Sequence, residues 1–213
     1  MHDKKISLFK EMDAHLLEDK KPSEYFQALD DPVFGSETPF TMLSRLKSIK
    51  QSPRHHPEGS VWNHTMLVLD KAAARKNQTG DSRVFLWAAL LHDIGKAVTT
   101  RVHKGKITAY NHDKAGAELT REFLKDFEEE PFISNVSALV RWHMQILYVT
   151  NNIRFASLDE MRREASVEDI ALLGLCDRLG RGNVNRREVE RDVQEFMRKM
   201  KEREVEKPHG HIP

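Results

Sequence analysis

The sequence predicts an all-α fold: a helical bundle with one short β-hairpin near residues 98–111. Proline is absent from residues 58–130 and 132–207, so long helices are permitted in both stretches. Within them, apolar residues recur every three or four positions, as on the buried face of an amphipathic helix. Of the 213 residues, 39% are hydrophobic and 31% are charged, which is typical of a soluble globular chain with a real core.

The helices follow from caps and periodicity. They are predicted, in chain order, over residues 60–76, 82–94, 113–128, 132–146, 166–180 and 185–206. Ser60 and Ser82 are the expected N-caps of the first two helices, and Gly95 is expected to end the second. His64 shares the buried stripe of the first helix. The hairpin is predicted because two runs rich in Thr, Val, Ile and Tyr flank Lys104 and Gly105.

The chain divides into three predicted parts. These are an N-terminal helical arm over residues 1–37, a main domain over 38–182, and a charged C-terminal helix with a tail over 183–213. Arg and Glu alternate along the last helix, so we expect it to be solvated and laced with weak ion pairs. We also expect it to project beyond the main domain, where it could pair with the same helix of a second copy to form a homodimer.

Charge and cysteine content narrow the classes of function. Lys and Arg number 34 against 33 Asp and Glu, so net charge gives no support for nucleic-acid binding. Cys176 is the only cysteine, which excludes an internal disulfide and a cysteine-based zinc cluster. No apolar stretch approaches the roughly 20 residues that span a bilayer, and the charged N-terminus does not resemble a secretory signal. We therefore expect a cytoplasmic protein with no membrane partner.

Six side chains of metal-ligand type fall on apolar helical faces or at helix ends. They are His64, His92, Asp93, His112, His143 and Asp177. One such residue is commonly a hydrogen-bonded core group, but six buried titratable groups need compensation, and a cation compensates them together. Four imidazoles and two carboxylates without a thiolate favour a divalent first-row ion. Adjacent helical residues point about 100° apart, so His92 and Asp93 could hold one ion, or Asp93 could bridge two.

Four other residues are candidates for binding a phosphate group. Lys96 could contact a phosphate oxygen, or it could stabilise the C-terminus of the preceding helix. Arg178 and Arg181 could each bind phosphate through two hydrogen bonds, or form surface ion pairs. His56, with its neighbour His55, could line the mouth of the site, or belong to a turn before a helix.

Several segments together resemble a known family. "SPRHHPEGSVWNHTMLVLD", "AALLHDIGKAVTT", "GKITAYNHDKAG" and "CDRLGR" are similar to the HD domain of bacterial CCA-adding tRNA nucleotidyltransferases, within the HD superfamily of metal-dependent phosphohydrolases. The likeness covers roughly residues 40–182. It implies an HD-domain helical bundle. The Gly-Gly-Ser loop and paired aspartates of the nucleotidyltransferase head are not found, so nucleotide addition is not expected.

The resemblance also implies a site and a reaction. The family's core ligands fall on His64, His92, Asp93 and Asp177, and the additional histidines of dinuclear members fall on His112 and His143. Two divalent ions per chain are implied, drawn from Fe, Mn, Ni, Co or Mg. The implied reaction is hydrolysis of a phosphomonoester or phosphodiester by a metal-bound water, with Asp93 and Lys96 as the catalytic residues. A nucleotide, a 2′,3′-cyclic nucleotide and an RNA-end phosphate are the implied substrates.

Two other interpretations stay open. The same ligand order occurs in di-iron oxygenases that resemble inositol oxygenase, and iron-dependent oxygen consumption would separate them from hydrolases. A non-catalytic tRNA- or RNA-binding HD module would instead require a basic stripe. The cations of the last helix are interleaved with acidic residues, which argues against that module.

Overall fold

The computed structural model describes residues 2–153, 157–182 and 184–205, and it confirms the all-α bundle with one hairpin. The N-terminal elements are α1 (His2–Glu18), α2 (Pro22–Ala28), α3 (Pro32–Ser36), α4 (Phe40–Ser44) and a 3₁₀ turn (Arg45–Lys47). The next are α5 (Val61–Ala73), a 3₁₀ turn (Lys76–Gln78), α6 (Ser82–Leu91), α7 (Lys96–Thr99), β1 (Arg101–His103) and β2 (Lys106–Thr108). The remainder are α8 (His112–Leu124), α9 (Glu130–Trp142), α10 (Gln145–Thr150), α11 (Leu158–Glu164), α12 (Val167–Leu179) and α13 (Arg186–Val205).

Residue 183 and the predicted tail from 206 to 213 lie outside the described residues. Among the helices that are described, none has the length and apolar character needed to cross a membrane.

Helices α5 and α6 form the centre of the bundle. Ser60 caps α5 as predicted, because its Oγ accepts a hydrogen bond from the backbone N–H of Asn63 at 3.2 Å. The prediction of Ser82 as the second cap was wrong. The carboxylate of Asp81 accepts from two backbone N–H groups of the first turn of α6, and Ser82 is the first helical residue. An aspartate one position earlier offers the stronger acceptor.

Gly95 lies in a tight turn between α6 and α7, not at a left-handed helix end. Its φ is −64°, so backbone freedom is not what requires glycine. A Cβ at this position would lie 2.1 Å from the carbonyl oxygen of His112 and 2.6 Å from the backbone nitrogen of Gly116. Glycine therefore lets α8 pack directly on the turn that carries the His–Asp pair. Lys96 begins α7, so it does not stabilise the C-terminus of α6.

Helix α9 begins earlier and ends earlier than predicted. Pro131 was expected to separate two helices, but it lies in the first turn of α9. Backbone N–H groups of the first turn have no partner within the helix, so a proline there removes no hydrogen bond. The helix ends at Trp142, and His143 is its C-cap. A separate helix, α10, follows after Met144.

The first and last helices pack on the same core as the central ones. Phe9 of α1 stacks on Trp87 of α6, with ring centroids 4.7 Å apart. Phe196 and Met200 of α13 are buried against the bundle, where α13 contacts α10 and α12. The expectation that this helix projects was therefore wrong, because its sparse apolar residues fall on one face. The three-part division of the chain stays a prediction.

The hairpin is confirmed, although its strands are shorter than the predicted span. Val102 pairs with Ile107 at the centre of the antiparallel register. Lys104 and Gly105 have φ of 47° and 76°, and two positive φ values are what a two-residue hairpin turn of this kind requires. The span is shortened at its N-terminal side because α7 takes residues that were assigned to the hairpin.

Candidate metal centre

The fold brings all six predicted ligands into one buried cluster. They lie at the end of α6 (His92 and Asp93), at the start of α8 (His112), at the end of α9 (His143), on α5 (His64) and on α12 (Asp177). Each is at most 8% exposed. Sequence positions more than 100 residues apart therefore converge on one point, as the ligands of a metal centre must.

Asp93 lies at the centre of this cluster. Its Oδ1 is 3.4 Å from Nε2 of His112 and 3.9 Å from Nε2 of His143. Its Oδ2 is 3.3 Å from Nε2 of His92 and 3.8 Å from Nε2 of His64. The two carboxylate oxygens thus face two different pairs of imidazoles. The ligand atoms of each of the two groups that share Asp93 lie within 4.8 Å of one another.

Backbone carbonyls hold three of the imidazoles in the same tautomer. Nδ1 of His92, His112 and His143 lies 2.8, 2.8 and 2.6 Å from the carbonyl oxygen three residues earlier in the chain. A carbonyl can only accept, so Nδ1 carries the hydrogen and donates it. Each Nε2 is left with a lone pair that points into the cluster, which is the arrangement of a metal-binding histidine.

These Nε2 lone pairs accept no hydrogen bond from a neighbouring donor. Nε2 of His112 and Nε2 of His143 lie 3.3 Å apart, and both are acceptors. Nε2 of His92 is buried without a hydrogen-bond partner among the described residues. Buried acceptors that face one another are unfavourable until a cation or a proton lies between them. The residues present therefore fit a divalent metal ion.

The pKa values of two imidazoles agree with a role as neutral ligands. Burial, together with His112 and His92, lowers the pKa of His143 to about 4. Burial also lowers the pKa of His112, and Lys96 acts in the same direction while Asp93 opposes it. Both rings are therefore neutral near pH 7, and only a neutral imidazole binds a metal ion.

His64 is held differently, between two carboxylates. Its Nδ1 lies 2.9 Å from Oε1 of Glu58 and its Nε2 lies 2.9 Å from Oδ1 of Asp177. Burial disfavours the charged ring, but these two hydrogen bonds outweigh burial and raise the pKa of His64. A metal ion would take the place of the Nε2 proton while Nδ1 continues to donate to Glu58.

Glu58 is a site residue that the sequence did not reveal. Its Oε1 also accepts from Nδ1 of His56 at 2.8 Å. Burial disfavours ionisation of Glu58, but the hydrogen bond from His64 and the others around it lower its pKa to about 2. Glu58 precedes α5 in a loop without periodicity, so its only signal was its place six residues before His64.

Lys96 and Arg181 reach the cluster, whereas Arg178 does not. Nζ of Lys96 donates to Oδ2 of Asp93 at 2.6 Å and to Oε1 of Gln51 at 2.7 Å. Burial disfavours the Asp93 carboxylate, but Lys96 and the neighbouring imidazoles hold the pKa of Asp93 well below its usual range. Arg181 donates to Oδ2 of Asp177 at 3.0 Å. Arg178 instead pairs with Asp192 of α13 and does not line the cleft onto which the cluster opens. This agrees with the alternative in which Arg178 forms an ion pair at the surface.

A cleft of about 330 Å³ opens onto the cluster. Four of the predicted ligands line it, namely Asp93, His112, His143 and Asp177, together with Lys50, Lys96, Arg181, His55 and His56. Ile107 of the hairpin, Met144 just before α10 and Leu147 within α10 form an apolar wall. His56 thus lines the mouth of the cleft, which was one of the two alternatives predicted for it. The cleft suits an anionic group at the ligands with a larger substituent against the wall.

Comparison with known proteins places the same segment in one family. A model of the HD domain matches residues 61–182, more than half of the chain. The multifunctional CCA protein of Pasteurella multocida is 29% identical over 171 residues, which are 75% of this chain and 39% of that protein. The multifunctional CCA protein of Halorhodospira halophila is 34% identical over 151 residues, 66% of this chain and 34% of that protein.

A shorter match reaches higher identity. The multifunctional CCA protein of Methylococcus capsulatus is 41% identical over 86 residues, 40% of this chain and 19% of that protein. The chain therefore spans well under half the length of each of these three relatives. The segment matched by the HD domain begins at α5 and ends just beyond α12, so it contains all six predicted ligands.

Proposed function

The chain belongs to the HD domain family, as its motifs predicted, and from this premise we propose that it is a metal-dependent phosphohydrolase. Its proposed substrates are phosphomonoesters or phosphodiesters, in the form of a nucleotide, a 2′,3′-cyclic nucleotide or an RNA end. The observation that carries the proposal is the pair of buried acceptors on His112 and His143, 3.3 Å apart beside Asp93. That pair needs a cation or a proton between the two nitrogens, and burial disfavours the proton, because it lowers the pKa of His143 to about 4.

The ligands divide into two sets around one carboxylate. His64, His92 and Asp177 lie on one side of Asp93, and His112 and His143 lie on the other. This supports two ions per chain, one of which each set would hold, with Asp93 shared between the sets. Bound divalent ions lower the pKa of a coordinated water towards neutrality and neutralise charge on phosphate oxygens.

The surrounding side chains supply the rest of the proposed chemistry. The Asp93 carboxylate stays ionised, so it can accept a hydrogen bond from the attacking water and orient it. The ammonium group of Lys96 lies on the cleft wall, where it can donate to a non-bridging phosphate oxygen. Arg181 offers a second cation on the same wall. His56 is neutral near pH 7, because burial and the positive charge of Lys96 lower its pKa to about 4.

The charge of the cleft favours a hydrolase over the two alternatives. A di-iron oxygenase could use the same ligands. Lys50, Lys96 and Arg181 on the lining suit an anionic phosphate ester once metal ions neutralise Asp93 and Asp177, the carboxylates that pair with Lys96 and Arg181. A purely structural RNA-binding module would have no use for buried imidazoles that lack donors. The relatives named CCA proteins keep an RNA-end phosphate within the proposed range of substrates.

Metal content and hydrolysis, measured on the same preparations, test this function. The wild type, His112→Ala and Asp93→Ala would be analysed for metals and assayed on bis(p-nitrophenyl) phosphate and 2′,3′-cyclic AMP. We expect about two ions per wild-type chain, the loss of one in His112→Ala, and the loss of both ions and of turnover in Asp93→Ala. His103→Ala, which removes an exposed hairpin histidine, is the matched control and should change neither quantity.

Two results would overturn the proposal. A chain that takes up no metal and hydrolyses neither ester after addition of Mn, Fe, Ni, Co or Mg would be a non-catalytic module. Iron-dependent oxygen consumption without ester hydrolysis would make it an oxygenase.

A further inference from the structure

The mouth of the cleft is bordered by two segments that contain no acidic residue. Residues 38–57 and 94–111 lack Asp and Glu entirely, although these make up 33 of the 213 residues. The two segments carry eight Lys and Arg residues: Arg45, Lys47, Lys50, Arg54, Lys96, Arg101, Lys104 and Lys106. A net charge of +1 therefore conceals a strong local excess of positive charge.

Both segments reach the cleft. The first contributes Lys50, Gln51, Ser52, His55 and His56 to its lining, and the second contributes Lys96, Thr100, Ile107, Thr108 and Ala109. Lys50 and Lys96 thus line the cleft itself, and the hairpin cations Arg101, Lys104 and Lys106 belong to the segment that forms one of its walls. This positive charge is separate from α13, where the sequence showed cations interleaved with acidic residues.

Seven of these cations are exposed and form no ion pair within the described part of the chain: Arg45, Lys47, Lys50, Arg54, Arg101, Lys104 and Lys106. The eighth, Lys96, pairs with Asp93. Arg141 and Arg198, elsewhere in the molecule, are each paired with carboxylates. Cations gathered without counter-charges repel one another, so a polyanion that binds them gains free energy.

The hairpin adds exposed hydrophobic surface to this charge. Its register places Arg101 opposite Thr108 and His103 opposite Lys106 on one face. Val102 and Tyr110 are 70% and 75% exposed. Tyr110 follows β2 by two residues, so an exposed aromatic ring and unpaired cations belong to one short segment. This combination holds single-stranded nucleic acid, because bases stack on the ring while the cations bind backbone phosphates.

We propose that the substrate of this site is the end of a single-stranded oligonucleotide, and that the hairpin binds the nucleotides next to the reacting phosphate. The proposal rests on the proposed function, since the terminal phosphate must reach the metal ligands. From Thr108 at the cleft to Lys104 at the tip, the hairpin extends about 13 Å, at about 3.3 Å per residue. A mononucleotide in the cleft cannot span that distance, so only a longer strand uses the whole basic surface.

Substrate length is the variable that tests this proposal. The wild type would be assayed on 2′,3′-cyclic AMP and on a ten-nucleotide RNA that ends in a 2′,3′-cyclic phosphate. The triple variant Arg101→Ser, Lys104→Ser, Lys106→Ser removes three hairpin charges. The matched control Lys10→Ser, Lys20→Ser, Lys71→Ser removes three exposed charges that do not line the cleft.

We expect the wild type to favour the oligonucleotide at least tenfold in kcat/KM. The hairpin variant should lose that preference and keep its rate on 2′,3′-cyclic AMP, while the control should change neither. Equal kcat/KM on both substrates in the wild type, or the same loss in both triple variants, would overturn the proposal.

Binding separates this proposal from the phosphohydrolase assignment. Fluorescence anisotropy with the labelled ten-nucleotide RNA needs no turnover, so it reports on the hairpin even if no ester is hydrolysed. The slope of log affinity against log salt should become shallower by about 2 in the hairpin variant, since each lost phosphate contact removes about 0.7. Tyr110→Ala should weaken binding about tenfold. Binding to vesicles rich in phosphatidylserine without binding to the RNA would overturn the proposal in favour of a lipid surface.

Discussion

Arg141 of α9 donates a hydrogen bond to Oδ2 of Asp113 on α8 at 2.6 Å. Asp113 is 3% exposed and directly follows His112, and Arg141 lies two residues before His143. The ion pair therefore ties together the two helix ends that present the facing imidazoles. We infer that it positions them and does not itself contact an ion.

Asp113→Asn should loosen this tie without removing a ligand. We expect the ion held by His112 and His143 to bind about tenfold more weakly, the lower end of the effect of losing a side chain that bonds a ligand directly, because Asp113 acts through the helix ends. The ion on the His64 side should be unaffected. Calorimetric titration of the metal-free protein with Mn²⁺ would resolve the two steps.

Glu130→Gln is the control for this experiment. It breaks the exposed pair between Arg121 and Glu130, which also joins α8 to α9 but lies away from the ligands. Identical titrations for the two variants would show that any contact between these helices matters equally, and that Asp113 has no special role.

Glu58→Gln should act on the other half of the centre. The carboxylate of Glu58 accepts from Nδ1 of His64, which makes the ring a better ligand through Nε2. We expect the ion on that side to bind at least about tenfold more weakly. Glu24→Gln, which neutralises an exposed partner of Lys21, should leave both titration steps unchanged. An unchanged affinity for the ion on the His64 side in Glu58→Gln would contradict the role given to Glu58.

The helices could be predicted because their apolar periodicity is local. Their ends were less predictable, since they depend on contacts that the sequence does not display. Asp81 displaced Ser82 as a cap because its carboxylate is the stronger acceptor. Gly95 is required by the backbone of α8, which approaches it from a segment about 20 residues further along the chain. The packing of α13 was missed because charged residues dominate its sequence.

The six clustered side chains could be singled out for a similar reason. Each of the six lies on an apolar helical face or at a helix end, where a polar residue stands out. The side chains that orient them do not stand out. Glu58 and Gln51 lie in an aperiodic loop, and Asp113 looks like an ordinary acidic residue in the first turn of a helix. Only the tertiary structure shows that Asp113 meets Arg141.

Gly95→Ala should destabilise the fold. The added Cβ would meet the backbone of His112 at 2.1 Å, and a backbone group cannot move aside as a side chain can. We expect a loss of about 3 kcal/mol in the free energy of unfolding, at the upper end for overpacking. Urea unfolding would measure it. Gly80→Ala, where nothing lies within 4 Å of the new Cβ, is the control and should not lower stability. Equal effects would mean that the turn can shift away from α8.

Lys96→Met should separate metal binding from phosphate binding. The ammonium group contacts Asp93 and lines the cleft, but it is no metal ligand. We expect metal content to be retained and kcat/KM for 2′,3′-cyclic AMP to fall about a hundredfold, comparable to the loss of one hydrogen-bond donor to a developing charge. Lys125→Met, which removes an exposed partner of Glu122, should have wild-type kinetics. Loss of metal together with activity would show that Lys96 only supports Asp93.

Metal binding should raise thermal stability, because the ions bind the folded ligand set and relieve the facing acceptors of His112 and His143. At a free Mn²⁺ concentration about a hundred times the dissociation constant, one ion adds about 2.7 kcal/mol. For a chain of this size, each kcal/mol shifts Tm by about 2–4 °C, so a rise of about 5–10 °C is expected over the EDTA-treated protein.

Asp93→Asn should abolish the rise, because its amide can no longer bridge the two sets of imidazoles. Asp159→Asn, at the start of α11, should keep it. An equal rise in wild type and Asp93→Asn would place the stabilising ion outside the cluster.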